Sequence, residues 1–171
     1  TGASTPFSIV TRGPLVVRDI DVLQEASSRV GARVYVSIPT LDDRVWRTTE
    51  PGTAPPRSRR RAVRRLAEAG IHVGVGIAPI LPGLSDSPEQ LEAVVREARA
   101  AGASNIWASV VHLRPGVREH FLEALGRDWP EEVGRYEALF GSRAYLPAST
   151  TSPMTEPVRR AAASAAMSES R

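Results

Sequence analysis

Short apolar runs and longer amphipathic stretches take turns along this chain of 171 residues. Four of the runs, over residues 7–11, 33–38, 73–78 and 106–113, carry the β-branched content of buried strands. Between them apolar residues return every three or four positions, as one face of a helix requires. Ile20, Leu23 and Ala26 predict a helix over residues 18–29 that Gly31 closes. Thr40 and Asp43 resemble a capping box for a short helix through Arg47, and residues 50–56 are too rich in proline and glycine for either regular structure. A helix over residues 57–69 turns Ala62, Leu66 and Ala69 inward, and Gly70 ends it. Ser87 as N-cap, Pro88 at the first position and Gln90 open the next helix, whose stripe is Leu91, Val94, Val95 and Ala98. Two more helices are predicted over residues 117–125 and 131–140. From Pro147 the composition turns to Ser, Thr, Ala and Pro, which predicts a mobile tail over residues 147–171 with a transient helix over 156–167.

The third run is unlike the others because its two faces differ. Val73, Val75 and Ile77 are large, whereas Gly74, Gly76 and Ala78 are nearly bare backbone. Glycine at alternating strand positions implies a close approach to that face, by a packed helix or by a ligand. Pro79 and Pro82 remove backbone donors, so the strand is expected to end near Ala78 in a rigid apolar loop.

Strands alternating with helices give an α/β fold of parallel βα units with right-handed crossovers, folded over residues 6–146. A closed eight-stranded barrel takes about 250 residues. Four strands therefore form part of a barrel, or a small open sheet with a partner along one edge.

Composition narrows the chemistry. A hydrophobic fraction of 42% without a long apolar run argues for a soluble protein with no membrane span. Cysteine is absent, which excludes disulfides and thiolate metal sites within these residues. The N-terminus lacks both a methionine and a secretory pattern, so a fragment or processed product is expected. All 22 basic residues are arginine, and the net charge of +3 permits an anionic partner without identifying one. The arginine run over residues 57–65 reads as a solvated helix face in preference to a phosphate contact.

Parallel strands collect their carboxyl ends at one rim, where α/β proteins place their sites. That rim gathers Thr11 and Arg12, Ser37 to Thr40, Ala78 to Pro82, and His112 to Arg114. The Ser37 hydroxyl suits a ribose or carboxylate, or the plainer task of satisfying a nearby backbone group. Arg114 suits a carboxylate or phosphate, or a structural acid. His112 is either a rim group or a satisfied core histidine.

The segments 9–15 (IVTRGPL), 36–42 (VSIPTLD), 50–55 (EPGTAP), 76–84 (GIAPILPGL) and 113–116 (LRPG) together resemble radical S-adenosylmethionine (radical SAM) enzymes. The branch they resemble is the spore photoproduct lyase-like one, often labelled DNA repair photolyase. The resemblance implies a partial TIM-type barrel of six βα units, of which these strands are the third to sixth. It also implies S-adenosylmethionine at the rim, with Ser37 at the ribose or methionine part, Ala78, Pro79, Ile80 and Leu81 beside the adenine, and Arg114 at the end of the sixth strand. From their place on the rim, Thr11 is a further cofactor-binding candidate, and Arg12 and His112 are candidates to face substrate. Catalytic residues are not identified and no metal ligand is expected here. The family's three-cysteine motif follows the first strand, so the 4Fe–4S cluster is expected only with a missing N-terminal half. On this resemblance the chain is a cytoplasmic, catalytically incomplete C-terminal half, partnered by that half or by itself through the open edge. No membrane partner is expected, and nucleic acid remains open. The alternatives are a non-catalytic domain binding protein or nucleic acid, or another βα-barrel enzyme acting on a phosphorylated small molecule.

Overall fold

The computed structural model describes residues 4–169. Its sheet has four strands in the order β1 (Ser8–Thr11), β2 (Arg33–Ser37), β3 (His72–Ile80) and β4 (Asn105–Val110). Every neighbouring pair is parallel. When consecutive parallel strands advance in one direction with right-handed crossovers, all the connecting helices fall on one face. These are α1 (Ile20–Val30), α3 (Pro56–Glu68) and α4 (Pro88–Ala100), with the short α2 (Asp43–Thr49) between β2 and α3 at the strands' carboxyl ends; after β4 come α5 (Val117–Asp128), α6 (Val133–Phe140) and α7 (Ala148–Glu169).

The helix-side core follows the alternation. Val34, Val36, Val73, Val75 and Ile77 are buried against Val63 and Leu66 of α3 and Leu91, Val94, Val95 and Ala98 of α4. Each such side chain contributes about 1.5–3 kcal/mol. The opposite face carries Val10, Tyr35, Gly74 and Asn105 in one row and Ser37, Gly76 and Trp107 in the next. It is thinly covered among the described residues, with Val10 65% and Trp107 39% exposed. The close approach to the glycines comes from the flanking strands. A Cβ on Gly74 would lie 2.6 Å from the Tyr35 ring, and one on Gly76 would lie 2.7 Å from Trp107.

The structure corrects several expectations. β3 runs on through a cis Ala78–Pro79 peptide to Ile80. The ladder shifts there from Ile77↔Ala108 to Ile80↔Val110, leaving one extra residue on β3, so the proline sits in a bulge where its missing donor is not needed. β4 ends at Val110, short of Leu113. The cap of α2 is Asp42, whose carboxylate accepts from Val45 N at 2.8 Å, while Thr40 Oγ1 accepts from Asp42 N at 3.0 Å.

The expected mobile tail is instead the 22-residue helix α7, packed on α4 and β4. Val158 is buried there, Met154 and Ala161 pack against the core, and Arg160 pairs with Glu92 at 2.7 Å. Residues 170–171 of that stretch lie outside the described residues.

The arginine run is not uniformly solvated either. Arg57, Arg61, Arg64 and Arg65 are exposed, but Arg59 is wholly buried. Its Nε donates to Ala54 O (2.8 Å), its Nη1 to Ser37 O (3.0 Å) and its Nη2 to Thr53 Oγ1 (2.7 Å). It thereby ties the 50–56 loop to the end of β2.

Two outcomes are expected. Gly74→Ala should destabilise by about 1–3 kcal/mol in denaturant titration, because its methyl would also stand 2.9 Å from the Asn105 carbonyl oxygen, which cannot swing aside. Gly76→Ala should cost less, since only the partly exposed Trp107 ring must move; the reverse order would contradict this packing. Val158→Asp, which buries an unpaired charge, should detach α7 and make it protease-sensitive. Unchanged resistance would show that the helix does not depend on this contact.

Candidate functional site

The carboxyl ends of all four strands meet at a cavity of about 130 Å³. Arg12 enters it from the end of β1, Pro39 and Thr40 from the end of β2, Pro79 and Leu81 from the end of β3, and Val111 from just beyond β4. The remaining wall comes from α2, Glu50, Ser85 and Phe121 of α5. A larger recess of about 250 Å³ lies beside it and shares Thr49 and Phe121.

Local chemistry fixes these walls. Ser85 Oγ accepts from Leu81 N at 3.0 Å, and Ser85 N donates to Leu81 O at 2.9 Å, so the 81–85 turn is closed from both ends. The Phe121 ring is backed by Tyr136, centroid to centroid 5.0 Å. Burial, then the nearby charges of Asp86 and Glu132, push the Tyr136 hydroxyl above the usual tyrosine range, so it keeps its proton at neutral pH.

Charge enters through one cluster. The Glu50 side chain is only 7% exposed and stands between two guanidinium groups. Arg59 Nη2 lies 2.8 Å from Glu50 Oε2, and Arg12 Nε lies 3.2 Å from Glu50 Oε1. Neither carboxylate oxygen has an aligned hydrogen bond, so the contact is one of charge. Two cations share one anion, and the surplus positive charge rests on Arg12, which is 53% exposed at the cavity. Its side chain makes no hydrogen bond among the described residues, so its donors are available to a planar anion.

The other residues singled out from the sequence are placed differently. Ser37 is at the same rim, but its Oγ donates to Ala78 O at 2.8 Å and joins the ends of β2 and β3. Thr11 shares the Val36 face, opposite to Ser37, and its Oγ1 accepts from Gly13 N at 2.9 Å. Ile80 is buried in the core. Arg114 donates to Tyr145 Oη at 2.5 Å with its guanidinium over that ring, and His112 packs on the same ring at 4.6 Å. The cavity thus gathers Arg12, Pro79 and Leu81 but not Arg114 or His112.

Sequence reading missed Glu50 and Phe121. Glu50 stands at the head of EPGTAP, a stretch whose stiffness drew more notice than its one acid. No group of three or more His, Cys, Asp or Glu suited to a metal occurs among the described residues. The sequence also lacks the thiolates that an iron–sulfur cluster needs. The residues present therefore do not fit a cluster. A cationic fork above an apolar wall does fit the carboxylate end of an amino acid.

Residues 2–98 match the family model of the radical SAM superfamily. An uncharacterized protein of Mycobacterium tuberculosis is 36% identical over 156 residues, covering 91% of this chain and 46% of that protein. An uncharacterized protein of Acidianus two-tailed virus is 32% identical over 143 residues, covering 78% and 46%. The chain spans about half the length of the relatives it matches. Among solved structures, a double mutant of spore photoproduct lyase with bound AdoMet and dinucleoside spore photoproduct aligns with a TM-score of 0.59 at 19% identity, over 90% of this chain and 46% of that one. The same lyase complexed with dinucleoside spore photoproduct gives a TM-score of 0.58 at 19% identity, again over 90% and 46%. At such identity the likeness is one of fold, and the four parallel strands are those of a partial radical SAM barrel. With a family match that runs from the first strand into α4, the chain belongs to the radical SAM superfamily.

Proposed function

We propose that this chain is the S-adenosylmethionine-binding portion of a radical SAM enzyme of the spore photoproduct lyase-like kind. The observation that carries the reading is the cavity at the shared strand ends, where the half-exposed guanidinium of Arg12 shares the lining with Pro79, Leu81 and Phe121. A volume of about 130 Å³ is smaller than a site enclosing a whole drug-sized ligand, roughly 300–1,000 Å³. It suits the amino-acid end of the cofactor, with the rest extending along the rim.

S-adenosylmethionine bound here would supply one-electron chemistry only beside an iron–sulfur cluster, which the residues of this chain do not hold. The residues of this chain bind and orient. Arg12 takes the carboxylate in bidentate fashion, which moves it from the substrate side, where its place on the rim suggested it, to the cofactor. Pro79, Leu81, Val111 and Phe121 exclude water from the same space. Ser37, bonded to Ala78, fixes the spacing of the two central strand ends. Cluster ligands come from cysteines outside these residues. Further βα units cover the bare sheet face around Val10 and Trp107, supplied by a longer polypeptide or by a second copy. An oxygen-sensitive cluster places the assembled enzyme in a reducing compartment such as the cytoplasm, and no helix among the described residues is long and apolar enough to cross a membrane.

Calorimetric titration tests this reading. The chain should bind S-adenosylmethionine, and Arg12→Ala should weaken it by about 10- to 100-fold, as expected for losing a charged hydrogen-bonded pair. Anaerobic reconstitution should give little or no iron uptake. Absent cofactor binding, or stoichiometric iron with cluster absorption, would overturn the assignment.

A further inference from the structure

Glu50 is the one acid in the cavity wall, and its surroundings immobilise it. Its backbone N donates to Trp46 O at 2.9 Å, while its carbonyl accepts from Thr53 N at 3.1 Å and Thr53 Oγ1 at 2.6 Å. The side chain is then pinned by Arg59, whose three nitrogens are all engaged with Ala54, Ser37 and Thr53. A cation held this rigidly restrains the carboxylate by charge at Oε2, 2.8 Å away, while Oε1 faces Arg12, 3.2 Å from its Nε. The Arg12 side chain makes no hydrogen bond among the described residues, so its donors stay available to a second anion.

We propose that Glu50, locked by Arg59, is a positioning residue that aims Arg12 at the carboxylate of an amino-acid moiety in the cavity. The inference rests on the cofactor-binding reading above. In this arrangement Glu50 does not touch the ligand. It removes the rotational freedom of an otherwise exposed arginine, so that less is lost when the carboxylate arrives. It also supplies the anion that lets two guanidinium groups stand close together, with Arg59 buried and Arg12 free to meet a second anion.

Two probes separate positioning from general structural support. S-adenosylmethionine carries the amino-acid end, whereas 5′-methylthioadenosine lacks it. Calorimetry on the full chain should show Glu50→Gln weakening S-adenosylmethionine by about tenfold or more while changing methylthioadenosine by less than about twofold, because only one probe uses Arg12. Arg12→Ala should show the same selectivity. The double variant should be no weaker than Arg12→Ala alone, since residues acting through one contact are not additive. If Glu50→Gln loses its cooperative thermal transition, Glu50→Asp carries the test, because it keeps the charge but draws it back from Arg12. Equal loss of both probes, or additive effects in the double variant, would overturn the positioning role while leaving cofactor binding intact. A wild-type chain that binds neither probe would overturn the cofactor reading, and this inference with it.

Discussion

A singly wound parallel sheet cannot bury both of its faces with its own connections. Each right-handed crossover from β1 to β4 returns on the same side, so α1, α3 and α4 build one continuous core and leave the other face to something else. That constraint sets the rest of the architecture. It aligns the four carboxyl ends at one rim, because parallel strands share a direction. It concentrates the loops there, because each crossover leaves from that edge. The cavity of Arg12, Thr40, Leu81 and Phe121 follows from chain direction before any side chain is chosen.

Holding such a rim together requires polar contacts in a dry place. Burying the Arg59 guanidinium costs several kcal/mol unless its donors and its charge are met. Here two backbone carbonyls, one hydroxyl and the Glu50 carboxylate meet them. The result is a loop rich in proline and glycine that is nevertheless fixed against the end of β2. Stiffness comes from residues such as Pro51 and Pro55, but position comes from Arg59.

Much of the fold was legible from period alone. Strand alternation separated Val34, Val36, Val73 and Val75 from the opposite face, and the α4 stripe of Leu91, Val94, Val95 and Ala98 appears as read. Features that depend on distant partners were not legible. The helix α7 contains Pro153 and Pro157 and little apolar periodicity, and it is held by docking on α4 and β4 more than by local propensity. At the site, the direction of the strands put Ser37 and Arg12 at one rim, and that is where both lie. It could not show that Tyr145, more than thirty positions away, would hold Arg114 outside the cavity. Nor could it show that one arginine in the 57–65 run would turn inward to Glu50. A run of like residues has no internal mark that singles out the buried member.

The glycines of β3 also give the bare face its relief. Tyr35 on β2 and Trp107 on β4 lean over Gly74 and Gly76, so the two rings fill the space that the missing side chains leave, and both glycines are buried. A layer laid on this face meets aromatic ring, not backbone, along the middle of the sheet. The pairing of the two faces is therefore chosen by the contour of two rings as well as by polarity.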